Sequence, residues 1–272
     1  MMKNGDRNMT SPVFSGIQVI SKAKSEEAKN EDAYAFNHTC LAVADGVTSK
    51  VATPGGYPPG AGVEAARLAV NLALTSDLNG IELVSRINSE ICSLRGFDGS
   101  SAVETACTFA CARICGNAIA ITQVGDVGVR VNRGEFLYLN HMIVDELTSA
   151  ARAHYIELTG DVNGSRNFIL PLLKAQAAYR NKADHPLGYG VIAGEETPVH
   201  FVRTILLDTS QIEAVEIFTD GYPALPAVAS IDAWEQQYEL AIGLDPDRCK
   251  EYRATKLKDD RTVLLAKLQK PL

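Results

Sequence analysis

Long apolar runs and runs of basic residues are both missing from this 272-residue chain, and each absence narrows what it can be. No stretch approaches the roughly 20 apolar residues that a membrane helix needs, so no membrane partner is expected. No five Lys or Arg stand together, and the formal net charge is −7. A surface that grips nucleic acid or an anionic bilayer must be basic, so nucleic acid is not expected either. The opening MMKNGDRNMTSPVFSGI lacks the apolar core of a secretory signal. Cysteines stand at 40, 92, 107, 111, 115 and 249, mostly inside apolar runs. That pattern fits buried free thiols of a reducing cytoplasm better than a disulfide framework, and a cytoplasmic protein is expected. The sequons at Asn37 and Asn163 then carry no consequence. Linkers, low-complexity segments and signals of an oligomer are absent too. With 46% apolar and 22% charged residues, one packed domain over residues 1–272 is expected.

What is present reads as strands first. VFSGIQVI (13–20), YAF (34–36) and TCLAVA (39–44) have strand length and composition. TPGGYPPGAG (53–62) is turn chemistry. VEAARLAVNLAL (63–74) reads as a helix, and Val84, Ile87, Ile91 and Leu94 mark one apolar face of a second. TACTFACARI, AIAITQVG, VGVRVN and EFLYLN, between 105 and 140, predict an antiparallel meander. Residues 141–180 read as mostly helical, interrupted at Pro171, with a loop from 185 to 198. VHFVRTILL and VEIFTD read as strands, SIDAWEQQYELAI as a helix, and RTVLLAKL as a last strand. Strand runs with helices grouped around them predict one α+β domain of packed antiparallel sheets.

Acidic residues gather at the ends of these segments. Glu31 and Asp32 precede YAF, Asp45 follows CLAVA, Asp126 follows AIAITQVG, Asp220 follows VEIFT, and Asp259 and Asp260 precede RTVLL. Singly, each reads as a turn or cap residue. Together they read differently, because carboxylates converging at one edge of a sheet pair repel unless a cation holds them. Oxygen-only ligands favour Mg²⁺ or Mn²⁺ over zinc, and a glycine beside a ligand lets its carbonyl approach the ion.

With these residues in view, the sequence resembles the metal-dependent protein serine/threonine phosphatases of type 2C. The matching pieces run in the family's order: NEDA (30–33), VADGV (43–47), GGYPPGAGVEAA (55–66), ETACTFACA (104–112), QVGDVGVRV (123–131), IFTDG (217–221) and DDRTVLL (259–265). The resemblance implies two stacked antiparallel β-sheets flanked by helices, with two Mn²⁺ or Mg²⁺ ions at one edge. It implies that Asp45 bridges the ions, that the Gly46 carbonyl contacts one, and that Asp220 and Asp259 hold the other. Glu31 and Asp32 resemble the acidic pair that orients metal-bound water, and Asp126 the ligand of a weaker third ion. A phosphorylated protein would be the substrate, two ions activating water and clamping the phosphoryl oxygens. Residues of about 141–190 would form the variable flap beside the site. A catalytically weak domain of the same fold that binds a protein partner is the alternative.

The sequence also departs from the family. Val47 stands where many members have His, leaving the proton donor to the leaving group unassigned. The upstream basic residue that contacts phosphate has no clear match, Lys24 and Lys29 being nearest, and Ala224 replaces a second acid for the third ion. Competing phosphatase signatures fail. Cys107 and Arg113 have Cys-x5-Arg spacing, but TFACA between them is a strand, not a phosphate-wrapping loop. Val43 and Phe218 stand two before Asp45 and Asp220, so the Asp-x-Asp of the haloacid-dehalogenase class is missing. GGYPPGAG lacks the Lys-Ser/Thr of an ATP-binding P-loop.

Overall fold

The computed structural model describes residues 11–47, 61–94, 105–139 and 141–271. Residues 53–60 of the turn-rich segment lie outside that range, as do Glu104, Asn140 and the first ten residues of the chain.

Among the described residues, ten strands form two five-stranded antiparallel sheets. The first has the order β1 (Val13–Lys22), β10 (Arg261–Gln269), β9 (Ala214–Phe218), β6 (Gly128–Val131), β7 (Phe136–Tyr138). The second has the order β2 (Asp32–Phe36), β3 (Cys40–Gly46), β4 (Cys107–Cys115), β5 (Ala118–Val124), β8 (Arg203–Asp208). Alternation along β3 explains the layering. Leu41 and Val43 pack with Val129, Ile217 and Leu264 of the opposite sheet, while Cys40, Ala42 and Ala44 pack outward. The outward face is covered by α1 (Ala61–Thr75) and α2 (Gly80–Leu94), whose Ala65, Ala69, Leu83 and Ile87 meet it. Small residues on both sides let helix and sheet approach closely. On the other flank, α5 (Ile231–Leu244) lays Trp234 and Tyr238 on Phe218 and Val263. The result is the α+β sandwich of two antiparallel sheets that the sequence predicted.

Three expectations need correction. The meander is split: β4 and β5 pair in one sheet, β6 and β7 in the other. Gly125, at φ +79°, turns the chain between sheets, a conformation that costs glycine little. Pro171 does not interrupt the helical segment; it sits inside α4 (Ser165–Ala175). Pro171 and Asn167, whose carbonyl loses its partner, are both exposed, so water can replace the missing bond. The break instead follows α3 (Ile143–Thr159), where Gly160 adopts a left-handed cap. Finally, VHFVRTILL is not one strand: Val199–Phe201 form a 3-10 turn before β8.

Candidate metal centre

Register on β3 determines where Asp45 goes. Asp45 shares the parity of Leu41 and Val43, so it stands on the side facing the other sheet, at the strand's end. Asp32 is its cross-strand partner on β2, and Thr108 its partner on β4. The opposite sheet contributes Asp220, one residue beyond the Thr219 that follows β9, and Asp259, two residues before β10. Asp126 lies in the turn that crosses between sheets. Thr219 ties the layers together: its hydroxyl donates to Asp32 Oδ2 at 2.9 Å and accepts from the Thr262 amide at 2.9 Å.

The acids act on one another. Burial raises the Asp45 carboxyl well above its usual range, and the charges of Asp32, Asp220, Asp259 and Asp126 add to the effect. Asp32 is pushed up to about 7 by burial and by Asp260 and Asp220. Asp126 reaches about 7 through burial, Asp220 and Asp145. Asp259 reaches about 6 through burial and Asp220, opposed by Lys256. Asp32 Oδ1 is buried with no hydrogen-bond partner among the described residues. Still, no three described His, Cys, Asp or Glu side chains stand close enough to hold an ion between them. The fit to a hard divalent cation rests on donor chemistry: oxygen ligands, an orphaned carboxylate oxygen and like charges gathered in a partly buried place.

Gly46 is constrained by its surroundings. A Cβ there would lie 2.5 Å from the Gly62 carbonyl carbon and 2.7 Å from the Glu31 oxygen. Its amide donates to that Glu31 oxygen at 3.1 Å, bringing β3's end against the NEDA segment. Glu31 itself pairs with Lys24, Nζ to Oε2 being 2.8 Å. Asp260 is buried and structural, accepting from the Lys24 amide at 2.8 Å and the Glu31 amide at 3.1 Å. Of the two neighbouring acids, Asp259 is therefore the one that faces the site.

Asp126, Asp220 and Asp259 line a cavity of about 340 Å³. Its walls hold residues that sequence reasoning missed. Lys256 sits 2.5 Å from Asp259 Oδ2; burial opposes its charge, but Asp259, Asp220 and Asp45 hold its pKa above the usual value. Asp145, on α3, acts on Asp126 across the cavity that it also lines. Arg248 lines the same wall. Lys256 had a signal, standing three residues before Asp259 in KLKDD, whereas Arg248 and Asp145 had none. His141 is the one described histidine on the cavity wall. Val47 packs instead against the cluster of Ala106, Val191 and Ala193. Ala224 does line the cavity.

The cysteine signature fails on geometry. Cys107 and Arg113 stand near opposite ends of β4, six residues or roughly 20 Å apart. Arg113 is engaged elsewhere, donating to the Ala73 carbonyl and, at 3.2 Å, to Asn79 Oδ1.

Comparison with known proteins agrees with this architecture. The catalytic domain of serine/threonine protein phosphatase PstP, in complex with two manganese ions, matches with a TM-score of 0.55 and 16% identity, over 95% of this chain and 99% of that one. PstP/Ppp of Mycobacterium tuberculosis matches at 0.54 and 16%, over 94% and 99%. Serine/threonine phosphatase Stp1 from Staphylococcus aureus matches at 0.55 and 15%, over 98% and 100%. At these identities the likeness shows the fold. No curated protein matches the sequence. A family model described as protein phosphatase 2C matches residues 21–240. That span is most of the chain, which therefore belongs to the protein phosphatase 2C family of protein serine/threonine phosphatases.

Proposed function

We propose that this chain hydrolyses phosphoserine and phosphothreonine in protein substrates, using two Mn²⁺ or Mg²⁺ ions. The observation that supports it is the meeting of Asp45 and Asp32 from one sheet with Asp220 and Asp259 from the other, where burial and the charge of Asp220 make Asp32, Asp45 and Asp259 hold their protons more tightly. Asp45 and the Gly46 carbonyl would hold one ion, and Asp45, Asp220 and Asp259 the other. Asp126 would serve a weaker third ion, with Asp145 nearby in place of the acid absent at Ala224. Such ions supply a water nucleophile at neutral pH and neutralise phosphoryl charge. Asp32, fixed by Thr219 through one oxygen, keeps Oδ1 to accept a proton from the attacking water. Glu31 completes the acidic pair from its place beside Gly46. The α3 segment, which lines the cavity, belongs to the flap of about 141–190 and would take part in substrate choice.

Two further features bear on setting. The six cysteines are free thiols, which suits a reducing cytoplasm. Among the described residues no helix is long and apolar enough to cross a membrane.

One observation favours the alternative of a catalytically weak, partner-binding domain: Lys256 already neutralises Asp259. Phosphate release from a phosphothreonine peptide separates the two, measured with Mn²⁺ and with EDTA for wild type and Asp45→Asn. Metal-dependent turnover that collapses in the variant supports the hydrolase. Metal binding without turnover supports the partner-binding domain.

A further inference from the structure

We propose that Arg248 is the phosphate-contacting residue of this chain, a role for which Lys24, the partly buried base before NEDA, is already engaged. The inference rests on the phosphatase reading above and assigns the phosphoester dianion its anchor. Lys24 cannot serve, because its ammonium is engaged by Glu31 at 2.8 Å and Asp260 at 3.4 Å. Arg248 is only 6% exposed, yet it lines the acidic cavity. Its Nε donates to the Tyr252 carbonyl at 2.6 Å, while Nη1 and Nη2 have no hydrogen-bond partner among the described residues. A buried guanidinium with both Nη groups free, lining the same cavity as Asp220 and Asp259, matches the planar, bidentate demand of a phosphoryl group.

The surrounding chain is built to hold it there. Asp245, 2% exposed, accepts from the amides of Cys249, Lys250 and Tyr252 at 2.9–3.1 Å, closing the loop that carries Arg248. Arg152 of α3, 1% exposed, donates to the carbonyls of Asp247, Arg248 and Ala254 at 2.9–3.1 Å. From α4, Arg166 holds the Thr255 carbonyl at 2.7 Å. Arg248 itself has φ +50°, uncommon for a residue with a Cβ. The α3–α4 segment thus fixes a basic loop against the acids. Arg253 and Lys256 of the same loop add positive charge to the cavity wall. An ion held by Asp259 would free Lys256 for phosphate as well.

The test uses the full chain as wild type, Arg248→Met and Arg248→Lys, each checked for unaltered folding by circular dichroism. Calorimetry measures Mn²⁺ binding, and then inorganic phosphate binding both with Mn²⁺ and in EDTA. Kinetics on a phosphothreonine peptide separate KM from kcat. Expected for Arg248→Met is unchanged Mn²⁺ affinity, with phosphate affinity lower by about 10- to 100-fold and KM raised. Arg248→Lys should recover part of the loss, and it carries the test alone if the Met variant does not fold. Unchanged phosphate affinity in both variants, with or without tighter Mn²⁺ binding, overturns the proposal and leaves Arg248 a countercharge to the aspartates. If wild type binds no Mn²⁺, the metal-centre reading fails by itself, and the EDTA titration still decides Arg248.

Discussion

Asp45→Asn keeps the size of the side chain and removes a carboxyl whose ionisation the folded chain disfavours, so it should push stability and metal response in opposite directions. The magnitude follows from Asp32, whose carboxyl moves from 3.8 to about 7. At about 1.4 kcal/mol per pH unit, ionising it at neutral pH costs the folded state about 4 kcal/mol. Burial is the largest cause and the neighbouring acids the smaller one. Asp32 is also the largest of the charges acting on Asp45. The Asp45 carboxyl is raised in the same way, by burial first, and Asn has no ionisation for the folded state to suppress, so the variant should gain about 1–2 kcal/mol, raising the metal-free Tm at pH 7.5 by roughly 2–6 °C. The pH dependence has a definite sign. Because these carboxyls hold protons more tightly when folded, the folded state binds more protons than the unfolded chain between about pH 4 and 7. Metal-free stability should fall as pH rises through that window. Mn²⁺ at a hundred times its Kd adds about 2.7 kcal/mol to wild type, or roughly 5–10 °C, and should add little to Asp45→Asn. Scanning calorimetry of both proteins at pH 5 and 7.5, with Mn²⁺ and with EDTA, measures these values. A lower metal-free Tm in the variant would refute the disfavoured ionisation of Asp45. An equal response to Mn²⁺ in both proteins would refute Asp45 as a ligand.

Other outcomes follow from packing and burial. Glu216, 1% exposed, accepts from Arg130 Nε and Nη2 at 2.5 and 2.7 Å and from Trp234 Nε1 at 2.7 Å. Glu216→Gln leaves Arg130 charged and buried, so it should cost about 3–5 kcal/mol; a loss below about 1 kcal/mol in a denaturant titration would contradict that account. Gly46→Ala drives a Cβ into backbone on two sides. It should cost about 1–3 kcal/mol and weaken Mn²⁺ binding, measured by calorimetry, since the strand end must move. Cys107 is buried and its thiol is pushed up by burial and by Asp45. Iodoacetamide at pH 7.5 should leave phosphatase activity intact, and Cys107→Ser should keep most of it; abolished turnover in a folded Cys107→Ser would reopen a cysteine mechanism.

Much of this protein was legible before folding, for reasons that are local. Apolar runs such as CLAVA and RTVLL report burial on both faces, and the helical spacing of Val84, Ile87 and Ile91 reports one buried face. These patterns need no knowledge of partners, so the sandwich and the acids at its strand ends could be read directly. What the periods do not carry is which sheet a strand joins. The 105–140 meander looked continuous, and only the turn at Gly125 and Asp126 divided it between two sheets. Pro171 looked like a break because sequence does not reveal that the carbonyl it orphans faces water. Partnership was equally hidden. Nothing local distinguishes Asp259, facing the cavity, from Asp260, bound to the amides of Lys24 and Glu31 from 229 to 236 positions away. Arg248 has no motif at all; it faces the acids because Arg152, 96 residues earlier, grips its carbonyl. Sequence alone determined which residues are buried and which acids end strands, because periodicity is a property of single segments. The tertiary structure decided which charges meet, because that depends on contacts between segments far apart in the chain.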